Sequence, residues 1–205
     1  VHLINSAALG RRTPFIPSPE GEGSSRRGYR FQSGGWVLEV LSDHDRAQAF
    51  DCGDTDLNDF FRNDLRPHEA QLLTKTYILN PVGASVDPPV ALISYCNDKI
   101  RLDSMGDIRF EGIKQPYRYI PAVKIARLGV RRDFRNQGIG THLLNMTKSF
   151  FLTGNRTGCR VLTVDAYKNE DVTAFYKKSF FDFISSKDKR SQTRTMFYDL
   201  IRTDL

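Results

Sequence analysis

The stretch from Ile125 to Thr141 constrains this chain more than any other part of it. Val123 to Val130 is an apolar run of strand length, Arg131 to Gly138 is a charged turn, and from Ile139 the spacing becomes helical, with Ile139, Leu143, Met146 and Phe150 on one side. A strand therefore runs through a turn into a helix, with Gly138 and Gly140 at the join. The first amides of a helix have no carbonyl partners within it, and with the helix dipole they form an anion site. Glycine leaves room for a phosphate to reach the backbone. Arg135 adds a planar guanidinium suited to phosphate oxygens. The run reads either as a pyrophosphate cradle or as a plain strand-to-helix turn. It is not a dinucleotide fingerprint, because only two glycines are present, and no Gly-Lys-Ser or Gly-Lys-Thr follows to make a nucleotide-triphosphate loop.

The elements around this run alternate. Trp36 to Leu41 predicts a first strand, Asp43 caps a short helix reaching Phe50, and a second helix starts near Thr55 or Asp56 with Leu57, Phe60, Phe61 and Leu65 on one face, limited or kinked by Pro67. Thr76 to Leu79 and Val90 to Cys96 predict a hairpin across a Pro- and Gly-containing turn. Residues 98–120 are polar and irregular, as a binding loop would be. Val161 to Ala166 predicts another strand, Asn169 or Asp171 starts a helix carrying Val172, Phe175 and Tyr176, and Phe181 to Ile184 and Thr195 to Ile201 close the order as strands. The class is mixed α/β. Residues 1–35 have no hydrophobic period and carry Pro14, Pro17 and Pro19; they predict a flexible basic tail, either native or a product of an altered start, ahead of a single domain over 36–205.

Charge and cysteine usage narrow the function classes. The net charge is +6, of which the five arginines and two glutamates of residues 1–35 supply +3. A mildly basic body permits an anionic ligand or nucleic acid without demanding one. Three scattered cysteines, Cys52, Cys96 and Cys159, and four scattered histidines fit neither a disulfide framework nor a structural zinc site, so no metal is expected. Reduced thiols suit the cytoplasm, and no apolar run approaches the ~20 residues of a membrane span.

The pattern Arg135-x-x-Gly138-x-Gly140 after a strand resembles the acyl-coenzyme-A signature of the GCN5-related N-acetyltransferases (GNAT). Asn169 through Phe183, with Phe175-Tyr176, is similar to that family's Asn, Ala, Phe-Tyr, Gly-Phe segment. The resemblance covers about residues 36–201. Phe50-Asp51-Cys52-Gly53, Leu57-Asn58, Phe60-Phe61, Thr76-Tyr77 and Pro121 to Leu128 further resemble the subgroup that includes bacterial acetyltransferase toxins, which modify the amino group of aminoacyl-tRNA.

The resemblance implies a central mixed sheet of six to seven strands with about four helices. In it the Val123–Val130 and Val161–Ala166 strands lie parallel and splay at their C-terminal ends to admit the pantetheine arm of acetyl-CoA. It implies coenzyme contacts from Leu128, Gly129 and Val130 through their backbone, and from Arg135, Asn136, Gln137, Gly138, Ile139, Gly140 and Thr141 in the cradle. Asn169 is expected to contact the coenzyme arm or to cap its helix, and Phe175 to combine core packing with coenzyme contact. Tyr176 is the expected proton donor to the leaving thiolate, since a phenol of pKa ~10 can give up a proton there. One departure stands out: Phe180 occupies the place of the family's glycine. Either the helix ends differently or the site is altered, which keeps a non-catalytic acyl-CoA-binding module in view.

The resemblance implies as acceptor a primary amine on a small molecule, a peptide or aminoacyl-tRNA. An RNA-borne amine predicts a basic rim, for which Lys99, Arg101, Arg109, Lys114, Arg118 and Lys124 are candidates; a small amine predicts acidic groups, with Asp98, Asp103 and Asp107 as candidates. The toxin resemblance allows for an antitoxin partner. Phe150, Phe151 and the terminal strand read either as a homodimer contact or as core.

Overall fold

The computed structural model describes residues 30–105, 110, 117–153, 155, 157–185 and 192–201. Eight strands form one sheet: β1 (Arg30–Ser33), β2 (Trp36–Val40), β3 (Lys75–Pro81), β4 (Ala91–Arg101), β5 (Tyr119–Val130), β6 (Val161–Tyr167), β7 (Asp182–Phe183) and β8 (Thr193–Asp199), in the spatial order β1-β2-β3-β4-β5-β6-β8-β7. All neighbours are antiparallel except β5 and β6. The expected parallel pair is there, joined by α3 (Ile139–Thr153). Order starts before Trp36: Arg30–Ser33 pairs with β2 through a Gly34-Gly35 turn, and Phe31 lays its ring edge-on to Phe150. Four polar or glycine residues surround Phe31 in the sequence, which hides the strand from pattern reading.

Four helical segments lie between β2 and β3. Asp43 caps a short 3-10 turn, His44–Ala47, and Asp54 caps α1 (Thr55–Asp59) by accepting from the Leu57 amide. The helix then widens into a π-turn over Phe60–Asp64 and continues as α2 (Leu65–Ala70). Pro67 was expected to limit or kink this helix, yet α2 runs through it. The change of hydrogen-bond step just before it, from Leu65 N–H back to Phe60 C=O, is where the helix absorbs the missing proline donor. β4 and β5 are both longer than the sequence suggests, which shortens the irregular insertion between them to residues 102–118.

The core has two sides. Val123, Ile125, Leu162, Val164, Ala166, Met196 and Tyr198 face α3 and α4 (Glu170–Lys178) and bury Leu143, Leu144, Met146, Tyr176 and Phe181. On the other side Phe50, Phe60, Phe61 and Leu65 pack over Ile78 and Leu92. Phe150 and Phe151, open between dimer contact and core, pack their rings against Tyr77 and Tyr95 in the α3-side core. The three cysteines are free, and no helix among the described residues is long and apolar enough to cross a membrane.

Candidate active site

β5 and β6 pair from Ala122↔Val161 to Ile125↔Val164, and there the ladder stops. Beyond it, β5 continues to Val130 with only β4 as partner, and β6 continues to Tyr167 with only β8. The two strands diverge, so among the described residues no strand lies against the β6-facing edge of Ala126 to Val130, which includes Leu128 and Gly129. A bulge starts the divergence: Ser94 pairs with Arg127 while Tyr95 pairs with Ile125, leaving Ala126 as an extra residue on β5. Gly129 has a packing reason as well. A Cβ there would sit 3.1 Å from both the Phe50 and Phe61 rings.

The cradle lies at the end of β5. Arg132–Phe134 makes a single 3-10 turn, Asn136 takes φ +60° and Gly138 φ +76°, and α3 starts at Ile139. The first helical bond is His142 N–H to the Gly138 carbonyl at 2.9 Å, which leaves the amides of Ile139, Gly140 and Thr141 without helical acceptors. Nothing lies within 4 Å of a Cβ built on Gly138, whereas one on Gly140 would meet the Phe175 ring at 3.1 Å. Gly138 thus opens the cradle and Gly140 lets α4 close against the start of α3. Arg135 is exposed and lies over Gly53, where a Cβ would be 3.1 Å from its Nη1 and 3.2 Å from Arg132 Nε. Gln137 is exposed and its amide donates to the Asp133 carbonyl. An open glycine, two left-handed residues, unpartnered first-turn amides and the Arg135 guanidinium suit a pyrophosphate, while Arg132 is paired with Asp51 at 3.5 Å.

α4 supplies the remaining candidates. Asn169 is its N-cap, accepting from the Asp171 amide at 2.8 Å. Phe175 is half-buried, wedged between Gly140 and the Tyr176 ring. Tyr176 is buried, and among the described residues nothing hydrogen-bonds to its hydroxyl; burial pushes its pKa well above the usual phenol value. The phenol is held in its protonated form with its donor uncommitted.

The helix carrying Tyr176 ends as a glycine would end it, despite Phe180. Phe180 takes φ +62°, its N–H donates to the Lys177 carbonyl at 2.8 Å, and the Phe181 N–H donates to the Tyr176 carbonyl at 3.0 Å. This is a Schellman cap with its usual apolar contact, here the Phe181 ring 5.6 Å from the Tyr176 ring. Of the two consequences expected of Phe180, an altered helix end is absent. What sequence reasoning missed is the anchor: buried Phe181, not residue 180, fixes the end of the helix.

The rim candidates sort unevenly. Lys124 is held between Asp165, at 2.9 Å, and Asp98, at 3.5 Å. Arg101 pairs with Asp103, and Lys99 sits over the Tyr119 ring at 4.6 Å. Lys124 and Arg101 are therefore neutralised rather than offered to an anion, and Asp98 and Asp103 are taken up in the same pairs. Arg118 is exposed; Asp107, Arg109 and Lys114 lie outside the described residues. A basic group the sequence reading overlooked is Arg127, exposed, with its guanidinium stacked 4.7 Å from the Phe60 ring centroid. The π-turn that brings Phe60 there has no sequence signature. Among the described residues no three His, Cys, Asp or Glu side chains converge as metal ligands would.

Comparison with known proteins agrees with this geometry. Residues 93–180 match the model of the acetyltransferase (GNAT) domain, which spans β4 to α4 and so both diverging strands and the cradle. AtaT, solved with acetyl-methionyl-tRNAfMet, superposes with a TM-score of 0.65 at 23% identity, over 80% of this chain and 94% of that one. A tyrosine-to-phenylalanine variant of KacT gives 0.66 at 23% identity, over 82% and 96%. AtaTR bound to acetyl-CoA gives 0.60 at 25% identity, over 81% and 94%. With its cleft and cradle inside the segment that matches the GNAT acetyltransferase domain, residues 93–180, the chain shares the fold of AtaT and KacT.

Proposed function

We propose that this acetyltransferase moves the acetyl group of acetyl-CoA to the α-amino group of an aminoacyl-tRNA in the cytoplasm. The observation that carries the reading is the parting of β5 and β6 after Ile125↔Val164, directly ahead of the open turn at Asn136–Gly138. Acetyl-CoA supplies an activated thioester. The cradle, Arg135 to Thr141, holds its pyrophosphate, and the free edge of Leu128 to Val130 bonds its pantetheine arm. Phe175 and the uncommitted amide nitrogen of Asn169 flank that arm.

The chemistry requires a neutral amine to form the new C–N bond as the C–S bond breaks, with one proton leaving nitrogen and one reaching sulfur. An α-amino group has a pKa of about 7.7–8.0, against about 10.4 for lysine, so a sizeable neutral fraction exists near pH 7 without a strong base. Such an amine needs less help from a general base than a lysine side chain does. Tyr176 donates its phenolic hydrogen to the departing sulfur. Burial keeps the hydroxyl in its neutral form; it passes its hydrogen to sulfur as the C–S bond breaks and takes up the proton that the nitrogen releases. The likeness to AtaT, solved with an acetylated aminoacyl-tRNA, supports the acceptor. AtaT is also solved bound to the C-terminus of its antitoxin AtaR, which supports a search for an antitoxin of this chain.

The test is transfer of labelled acetyl from acetyl-CoA, with purified protein, to charged tRNA, to peptides and to small amines. Label on charged tRNA, with kcat reduced about 10²–10⁴-fold in Tyr176→Phe and acetyl-CoA affinity little changed, is expected. Label on peptides or small amines alone would replace the acceptor. Equal loss of kcat and coenzyme affinity in Tyr176→Phe would remove its assigned role.

A further inference from the structure

Where the backbone ladder between β5 and β6 ends, a side-chain ladder takes over on the sheet face turned away from α3 and α4. Lys124 lies opposite Thr163, one residue before the last backbone pair, and Asp165 is the first β6 residue past it. The Lys124 Nζ reaches Asp165 Oδ2 at 2.9 Å and Asp98 Oδ2 at 3.5 Å. Each carboxylate is fixed again from another strand. Asp165 Oδ1 accepts from Thr195 Oγ1 on β8 at 2.7 Å, and Asp98 Oδ2 accepts from Thr163 Oγ1 on β6 at 2.7 Å. One ammonium and two carboxylates thus stitch β4, β5, β6 and β8 together at the depth where the strands begin to part.

An isolated surface ion pair contributes little. This one differs in place and in connection. It spans the one strand junction of the site that has lost its hydrogen bonds, and all three charged side chains are only partly exposed, 24% for Asp98, 28% for Lys124 and 41% for Asp165. Burial opposes the charge on Lys124 and on Asp165, yet the hydrogen bond and attraction between them prevail, raising the pKa of the lysine and lowering that of the aspartate. Remove the ammonium, and two carboxylates face each other across β5 with no cation between them.

We propose that Lys124 is a positioning residue whose bridge to Asp165 sets the separation of β5 and β6 at the apex of the cleft, and with it the fit of the pantetheine arm. The inference rests on the reading that acetyl-CoA lies between these strands. A bound arm gripped by two edges is sensitive to their spacing, since small misplacements forfeit much of what preorganisation provides. The cradle stands on the turn and on α3, outside this bridge, so the nucleotide end of the coenzyme should not register the change.

Calorimetric titration of the full chain with acetyl-CoA and with adenosine 3′,5′-bisphosphate, the coenzyme's nucleotide with one of its two bridging phosphates and without its arm, separates the two. Lys124→Met should weaken acetyl-CoA binding about tenfold and leave the bisphosphate within about twofold, and Lys124→Arg should restore most of the loss. Should Lys124→Met fail to fold, Asp165→Asn, nearly isosteric, should show the same split at smaller size. Unchanged acetyl-CoA affinity in a folded variant, or equal weakening of both ligands, would overturn the positioning role. A wild-type chain that binds neither ligand would overturn the coenzyme reading instead.

Discussion

The two faces of the sheet are held by different forces. Against α3 and α4 the contacts are apolar: Val123, Ile125, Leu162, Val164 and Met196 meet Leu143, Leu144, Met146 and Phe181, all buried. The opposite face is a mosaic. The Phe50, Phe60, Phe61 and Leu65 cluster covers Ile78 and Leu92, and a smaller cluster joins Phe110 to Ile100, Ile120, Val161 and Phe197. Between them runs the charged row of Asp98, Lys124 and Asp165. Even the helical layer on this face is pinned by a charge. The nearly buried Glu69 carboxylate accepts from the Thr76 amide at 2.6 Å, Lys75 Nζ at 2.9 Å and His44 Nε2 at 3.2 Å, tying α2 to β3 and to the 3-10 turn. The face under α3 and α4 is thus held by close packing, while the opposite face depends in part on paired charges. The two should fail under different stresses.

The largest effect belongs to the packed face. Phe181 is 1% exposed, its ring lies 5.6 Å from Tyr176 and 5.7 Å from Tyr198, and its amide caps α4. Phe181→Ala should cost about 3–5 kcal/mol of stability, since it deletes a buried ring that nothing adjacent can replace. Thermal unfolding measures it, as a fall in Tm of roughly 10 °C or more for a chain of this size. A loss under about 1 kcal/mol would mean that the α4 side is not the packed one, and the contrast between the faces would collapse.

Acid should act on the other face first. Burial alone would raise the Glu69 pKa, but the hydrogen bonds from Lys75, Thr76 and His44 outweigh it and leave the value lowered. A carboxylate whose folded pKa lies below its unfolded value of about 4.3 contributes stability above that pH and loses it as pH falls through the folded pKa. Hydrogen exchange followed from pH 6 down past about pH 4 should therefore show the amides of α1 and α2 losing protection before those of α3. Glu69→Gln should produce the same early opening at neutral pH, at a cost of about 1.5–3 kcal/mol, the range for hydrogen bonds to a charged group. Simultaneous loss in both layers would show that the charge does not divide them.

The same contrast explains how much could be read from the sequence. The β5–turn–α3–β6–α4 order follows local rules that leave marks: a buried run, two glycines, a 3.6-residue period, and Asn169 as a cap. The element order of that half was legible, as was the α/β class; that its two strands pair in parallel followed from the resemblance to the acetyltransferases. The elements that were not legible are set by contacts distant in sequence. β1 exists because β2 offers an edge and Phe150 a ring, and the π-turn because Phe60 and Phe61 must both reach the core. Lys124 and Asp98 looked like surface charges of opposite sign with separate uses. Their neutralisation through Asp165 depends on a strand 41 residues away in the chain.

The smallest effect tests the helix end that carries Tyr176. Phe180 is 52% exposed at φ +62°, and Leu72 is 91% exposed at φ +60° in a matching cap, with Leu72 N–H donating to Glu69 and Leu73 N–H to His68. A left-handed non-glycine residue costs roughly 1–2 kcal/mol relative to glycine, set against the unfolded-chain entropy that glycine adds. The two caps differ in the next residue along the chain: Phe181 is buried against Tyr176, while Leu73 is 52% exposed. If the buried neighbour does the anchoring, Phe180→Gly should raise stability by about 1 kcal/mol or less and leave acetyl transfer unchanged. Leu72→Gly should raise stability by a similar amount. Phe180 also lies within reach of Lys148, whose Nζ is 5.6 Å from its ring and 4.2 Å from that of Tyr198. A Phe180→Gly variant that loses activity while gaining stability would show that this aromatic surface takes part in positioning Tyr176, and that the cap is not the anchor alone.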